Sequence, residues 1–244
     1  MLAFKTKINT TSAKFQDNRR EMLALVDQLR ALEQRTVDTS NKRLPVFAAR
    51  NQLSPNERLE RLLDPGMPFL RLHSVANYLV EDENPETSVA GASMIVGIGF
   101  VKGVRCLVWS DDSGIKAGAM TVSTAPVSLS VQEIAMRQKL PLVHLVESAG
   151  ANLVDFLVES WIGAGEVFRN LATMSAMGLP TVSVLHGPST AGGAYMPGMS
   201  DYVVGIKNNG LAALAGAALV KAATGEEVEE RELGGTEMHA SVSG

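Results

Sequence analysis

Two stretches of this 244-residue chain follow one plan, and that repetition limits the fold more than any other feature. "KLPLVHLVESAGANL" (139–153) and "GLPTVSVLHGPSTAGGAY" (178–195) each run Leu-Pro, a short apolar strand, then a turn of small residues. Between them, Phe168, Leu171, Met174 and Met177 recur at helical spacing, and Gly178 with Pro180 beyond it stops the helix. The Met174 and Met177 pair reads as core packing. Strand, small-residue turn and helix in repetition predict an α/β layer whose strands run the same way. Upstream, "MIVGIGFV" and "VRCLVW" flank Lys102-Gly103 and predict a β-hairpin. Downstream, "YVVGI" predicts another strand. Thr224-Gly225-Glu226-Glu227 reads as a capping box opening a short helix that Gly234-Gly235 closes.

The N-terminal part has a different texture. Over 15–37, Met22, Leu25, Val26, Leu29 and Leu32 recur every three or four residues, an amphipathic helix with one narrow apolar stripe. That stripe must lie on the domain or on another chain. "LSPNERLERLLDPG" predicts a second helix, with Ser54 as N-cap, Pro55 at the first helical position and Asp64-Pro65-Gly66 as the stop. "EDENPETSVA" (81–90) reads as a solvated loop. The division expected is an arm and helix over 1–40 and a single domain over 41–244. The basic start, free of acids before Asp17, reads as an arm entering the helix, with a mitochondrial transit peptide as the alternative.

Composition excludes several function classes. A formal net charge of −4 argues against a broad nucleic-acid surface. The single cysteine, Cys106, excludes a disulfide framework and a Cys-rich zinc site, and its place in "VRCLVW" makes it a buried strand thiol. No apolar run is long enough to predict a membrane span. His73, His144, His186 and His239 have no metal-ligand spacing, and His144 reads as a packed strand residue.

The chemistry must come from the small-residue turns, Ser148-Ala149-Gly150-Ala151 and Ala191-Gly192-Gly193-Ala194. Backbone N–H groups are the strong donors there, and without bulky side chains they can approach a ligand oxygen closely. A converging pair would form an oxyanion hole. An equally open reading is that the glycines only allow a helix to pack tightly on a strand. There is no G-x-S-x-G elbow and no phosphate loop, and "GIG" (97–99) lies in a strand with no helix behind it. Ser189 or Thr190 could be a nucleophile, but no base stands near in sequence. Glu147 is the carboxylate best placed for acid–base work, and it has no partner legible in the sequence.

Five linked motifs, "LVESAGANL", "RNLATMSAMGLP", "HGPSTAGGAYMPGMSDYVV", "LVKAATGEEV" and "ELGGTEMH", together resemble the carboxyltransferase β subunits of biotin-dependent acyl-CoA carboxylases, nearest the methylcrotonyl-CoA and geranyl-CoA branch. "LSPNERLERLLDPGMPF" resembles that family's N-terminal helix signature. The resemblance implies a crotonase-like α/β fold of stacked ββα units, a single domain with N-terminal helices. It also implies a reaction in which the protein holds an acyl-CoA thioester as its enolate while carboxybiotin delivers the carboxyl group and accepts the proton.

On that reading the amides of Gly150 and Gly193, with Gly192 shaping the turn, form the oxyanion hole. Ala149, Ala151, Ala194 and Tyr195 line the substrate, and Arg50, Lys116 and Lys221 are the cations available for coenzyme A phosphates. Biotin belongs to a partner, since this chain has no Met-Lys-Met. The partners implied are a second carboxyltransferase domain and a biotin carboxylase or biotin carrier subunit, with self-association expected. Cytoplasm is the expected compartment, with the mitochondrial matrix as the alternative.

Family members are roughly twice as long, and this chain corresponds to their first domain. It departs from them at Ala149, where relatives carry Gly, and in the absence of basic residues from Ala117 to Ala135. "LAGAALVK" also replaces a double proline. Ala149 trims the freedom of its turn, and the basic-residue loss bears on coenzyme A binding. The competing readings are an acyl-CoA or malonyl-type decarboxylase subunit, and a non-catalytic assembly subunit of the same fold. A hydratase would want a second carboxylate beside Glu147.

Overall fold

The computed structural model describes residues 5–151 and 158–243. Helix α1 (Ala13–Asn41) is longer than the apolar stripe predicts at both ends, because Ser12 caps its start and the hydroxyls of Thr36 and Ser40 extend its attachment. Those two residues are its buried ones. Thr36 Oγ1 accepts from the Gly91 N–H at 2.9 Å, and Ser40 Oγ donates to Asp112 Oδ1 at 2.6 Å. Met22, Leu25 and Leu29 of the stripe stay 60%, 58% and 42% exposed, so polar contacts anchor α1 and its apolar face is left open.

After α2 (Leu44–Ala49), helix α3 (Pro55–Leu62) starts as the sequence predicts. Ser54 and Glu57 form a reciprocal capping box, with Pro55 in the first turn. Its stop has a second use: the Asp64 carboxylate accepts from the N–H groups of Lys102 (2.8 Å) and Gly103 (2.6 Å). Both of those residues have left-handed φ, 50° and 79°, the two-residue turn that suits the twist of a hairpin.

The sheet begins at the short β1 (Leu70–Leu72), antiparallel to β2 (Met94–Val101), which pairs antiparallel with β3 (Val104–Asp111). Helix α4 (Thr124–Gln138) then crosses over to β4 (Leu142–Ser148), parallel to β3. Helix α5 (Val158–Ala176) leads to β5 (Thr181–Thr190), parallel to β4. After the four-residue α6 (Tyr195–Gly198), β6 (Tyr202–Gly205) and β7 (Leu211–Ala213) both pair with β5, followed by α7 (Ala217–Thr224) and α8 (Glu230–Gly234).

Period-two alternation builds two cores. On one face, Met94, Val96, Leu107 and Trp109 pack under α4 and α5 with Val131, Leu171 and Met174. On the other, Ile95, Cys106 and Val108 pack under α3 with Leu59. The glycines of "GIG" are explained by this second layer: a side chain at position 97 would strike the Phe69 ring.

Two local expectations are corrected. Met177 lies beyond the end of α5 and is 49% exposed, so only Met174 of the pair is core. Thr224 does not open a helix. It closes α7, its hydroxyl donating back to the Val220 carbonyl at 3.0 Å, while Gly225 takes the left-handed cap (φ 79°). The glycine after the threonine decided between start and stop.

Candidate active site

Because β4 and β5 are parallel, their C-terminal ends bring the two small-residue turns together, with Ser148 in register with Ser189. Where the strands end, the register slips: Val146 pairs with Leu185 and Ser148 with Ser189, so Glu147 alone stands opposite His186, Gly187 and Pro188. The run His186-Gly187-Pro188 is the long side of this bulge.

The first turn is over-determined. Gly150 has φ 80°, and a Cβ there would lie 2.8 Å from the Thr190 carbonyl oxygen. Ser148 Oγ donates to the Gly118 carbonyl at 2.8 Å and accepts from the Gly150 N–H at 3.1 Å. The Ala149 N–H donates to the Ala117 carbonyl at 3.1 Å, and the Met120 N–H donates to the Gly150 carbonyl at 2.8 Å. The segment that receives these bonds is itself unusual: Lys116, Ala117 and Gly118 are all left-handed, with φ of 47°, 54° and 67°. A non-glycine residue there costs about 1–2 kcal/mol, so this short turn stores strain against the wall of the site.

The second turn is a 3-10 helix over Ala191–Ala194. Gly193 is buried against the first turn, where a Cβ would lie 2.9 Å from Ser189 Oγ and 3.1 Å from Ser148 Cβ. Gly192 is half-buried, and a Cβ there would meet nothing within 4 Å. The left-handed residue of this turn is Ala191 (φ 50°), not Gly192. Ala151 and Ala194 are half-buried, and Ala149 and Ala191 are exposed. Tyr195 is 52% exposed and leans on Phe168, with ring centroids 5.2 Å apart.

The three cations divide. Lys116 belongs to the strained turn and pairs with Glu81 at 2.9 Å. Lys221 sits on α7, exposed and paired with Glu227 at 2.5 Å. Arg50 caps α2, and no hydrogen bond among the described residues ties it to either turn. The Ser189 hydroxyl is fully buried with no hydrogen-bond partner, so no base touches it.

Beneath the turns lies a buried polar cluster that the sequence reading missed. Glu147 is 4% exposed, and its Oε2 accepts from Arg58 Nη1 at 2.5 Å and Ser113 Oγ at 2.6 Å. Arg58 Nη1 also lies 3.4 Å from His186 Nε2. A guanidinium only donates, so that nitrogen accepts and the ring is neutral. Burial first, and then the charge of Arg58, lower the His186 pKa to about 3.

Next to it, Asp111 accepts from the Glu147 N–H (3.0 Å) and Trp109 Nε1 (2.9 Å), and lies 3.1 Å from His144 Nε2. His144 stacks on Trp109 with centroids 4.4 Å apart, the packed strand residue its position predicts. Asp112 is pushed above the usual carboxylate range by burial, against the hydrogen bonds from Ser40 and Gly114. A second carboxylate therefore does stand beside Glu147, but both are sealed in and committed to partners. One sequence signal could have found Arg58: the buried residues of α3 are Pro55, Arg58 and Leu59, so an arginine sits on the apolar stripe.

Residues 48–244 match the model of the carboxyl transferase domain. The chain belongs to the carboxyl transferase family. It is 46% identical over 196 residues to the probable biotin-dependent acyl-coenzyme A carboxylase beta2 subunit of Mycobacterium tuberculosis, covering 80% of this chain and 36% of that protein. It is 38% identical over 243 residues to the probable mitochondrial methylcrotonoyl-CoA carboxylase beta chain of Drosophila melanogaster, covering 98% of this chain and 41% of that one. Among solved structures, the geranyl-CoA carboxylase beta subunit of P. aeruginosa superposes with a TM-score of 0.88 at 44% identity, over 99% of this chain and 44% of that chain. This carboxyl transferase domain thus spans less than half the length of these relatives, and its fold is the crotonase-like one of their kind.

Proposed function

We propose that this chain is the acyl-CoA half of a biotin-dependent carboxyltransferase, and that its two glycine turns hold the thioester oxygen as it becomes an enolate. The observation that carries this is the contact between the turns: Gly150 sits against the Thr190 carbonyl, and Gly193 sits against Ser148 and Ser189. On this reading the amides of two backbone segments packed this closely serve one small region, and each such donor is worth about 3–4 kcal/mol to a developing oxyanion. The Gly150 N–H, held only at 3.1 Å by the Ser148 hydroxyl, exchanges that acceptor for the thioester oxygen. Gly193 supplies the opposing amide, and the open side of Gly192 admits the thioester.

Carboxybiotin, carried by a partner chain, supplies the carboxyl group and the acceptor for the substrate's proton. The residues of this chain fit that division of labour, because its best-placed carboxylate, Glu147, is buried and bound to Arg58 and Ser113. What remains for the chain is to bind, orient and polarise. Ala149, Ala151, Ala194 and Tyr195 border the path of the acyl group. Lys116, on the turn that braces the first hole, is the cation best placed for coenzyme A, ahead of Lys221 and Arg50.

The second carboxyltransferase domain and a biotin-bearing subunit complete the site. The exposed apolar residues Tyr202, Val203 and Val204 on β6 and Leu214 and Leu219 beyond it support a large partner surface. Bacterial and mitochondrial relatives support the cytoplasm or the mitochondrial matrix as its compartment. Calorimetric titration with 3-methylcrotonyl-CoA and with free CoA tests the reading: tighter thioester binding supports it, and equal affinity removes the thioester from the turns.

A further inference from the structure

The cluster of Arg58, Ser113, Glu147 and His186 has no part in the chemistry above, yet it touches the point from which both turns leave the sheet. We propose that Arg58 and Glu147 form a positioning device that sets the separation of the two glycine turns, a claim that rests on the reading of those turns as the thioester site. Glu147 immediately precedes Ser148 in β4, and three residues of β5 oppose it. Its side chain fills the space this bulge leaves: a Cβ at Gly187 would lie 2.6 Å from Glu147 Cγ and Cδ. The carboxylate is therefore a wedge between the strand ends, and Gly187 is the residue that admits it.

Arg58 ties the wedge to the neighbouring strand. Its Nη1 donates to Glu147 Oε2 in β4 at 2.5 Å and faces His186 Nε2 in β5 at 3.4 Å. The neutral imidazole lets one guanidinium bridge a carboxylate and a ring without a competing positive charge. Arg58 is itself fixed by its helix. The Ser54–Glu57 capping box sets the start of α3, and the Phe47 ring lies 5.6 Å beneath the guanidinium. The N-terminal helix signature and the "VESAG" turn, far apart in sequence, thus meet in one buried contact. The Glu147 carboxylate, held by Arg58 and Ser113, serves geometry there.

Amide hydrogen exchange on the 244-residue chain and on E147Q tests this. The positioning role predicts that the amides of Ala149, Gly150 and 191–194 exchange at least about tenfold faster in E147Q, with those of Leu107 and Val108 in β3 unchanged. Equal acceleration across the sheet would make the pair a general stabiliser and overturn the proposal, as would unchanged turn amides. If E147Q does not fold, the double variant R58M/E147Q, which leaves no unpaired charge buried, carries the same comparison under the same criteria. Thioester and free CoA titrations of the unmodified chain are run alongside. Equal affinity there sinks the reading of the turns, while the exchange pattern still judges the ion pair.

Discussion

A side chain at Gly150 would stand 2.8 Å from the carbonyl oxygen of Thr190, so the two turns of this site leave no room for one between them. Gly150→Ala adds that contact and the cost of an L-residue at φ 80°. The variant is expected to fold, with Tm lowered by several degrees. Thioester affinity should fall about 100-fold or more as the turns are forced apart. Free CoA affinity should change little. Calorimetry with both ligands reads the split, and a thioester affinity like that of the unmodified chain would detach Gly150 from the hole.

The Arg58–Glu147 pair makes a stability prediction separate from its effect on the turns. Removing one member strands a buried charge, at a cost of about 3–5 kcal/mol, whereas replacing both is often near neutral. R58M is therefore expected to shift the urea midpoint strongly downward, and R58M/E147Q to recover most of the loss. Additive losses in the double variant would mean that the two side chains do not act on each other.

His186 gives the fold an acid sensitivity. Its folded pKa is about 3, below the unfolded 6.5, so the unfolded chain binds the extra proton between those values. Stability is then full above about pH 6.5 and falls by roughly 1.4 kcal/mol per unit as pH drops toward 3. Asp112, raised by burial, contributes the opposite slope between its ordinary and its raised pKa. H186Q keeps an acceptor for Arg58 without the titration, and should flatten the fall in Tm between pH 7 and pH 5. An unchanged fall would assign the acid sensitivity to another group.

On α1, Met22, Leu25 and Leu29 are exposed while Thr36 and Ser40 hold the helix in place. Covering that stripe is the expected driver of self-association. Leu25→Glu combined with Leu29→Glu should leave Tm nearly unchanged, since both side chains are exposed, and should reduce the mass seen by light scattering at micromolar concentration. A strictly monomeric unmodified chain would contradict this.

Much of this architecture is legible in the residues. The hairpin at Lys102-Gly103, the capped helix at Ser54 and the twin strand–turn units all follow from local rules, because turn chemistry and period-two patterning act over a few residues. The glycine turns could be found for the same reason. The network beneath them could not, because Arg58 and Glu147 are separated by 89 positions and only the fold joins them. Glu147 in sequence is a lone carboxylate near a strand end, the signature of an acid–base residue, and burial turns it into a wedge. Likewise the glycine run in the second turn does not reveal that Ala191, not Gly192, takes the left-handed conformation. Thr224 misled for a smaller reason, since the same Thr-Gly pair can open one helix or close another.

The central claim is that backbone amides of these turns hydrogen-bond the thioester oxygen. Isotope-edited infrared spectroscopy of a bound acyl-CoA labelled at the thioester carbonyl measures that bond directly. The account predicts a carbonyl stretch shifted to lower frequency on binding, and a smaller shift in Gly193→Val wherever binding persists. A bound thioester whose carbonyl frequency equals its value in water-free solvent would contradict it.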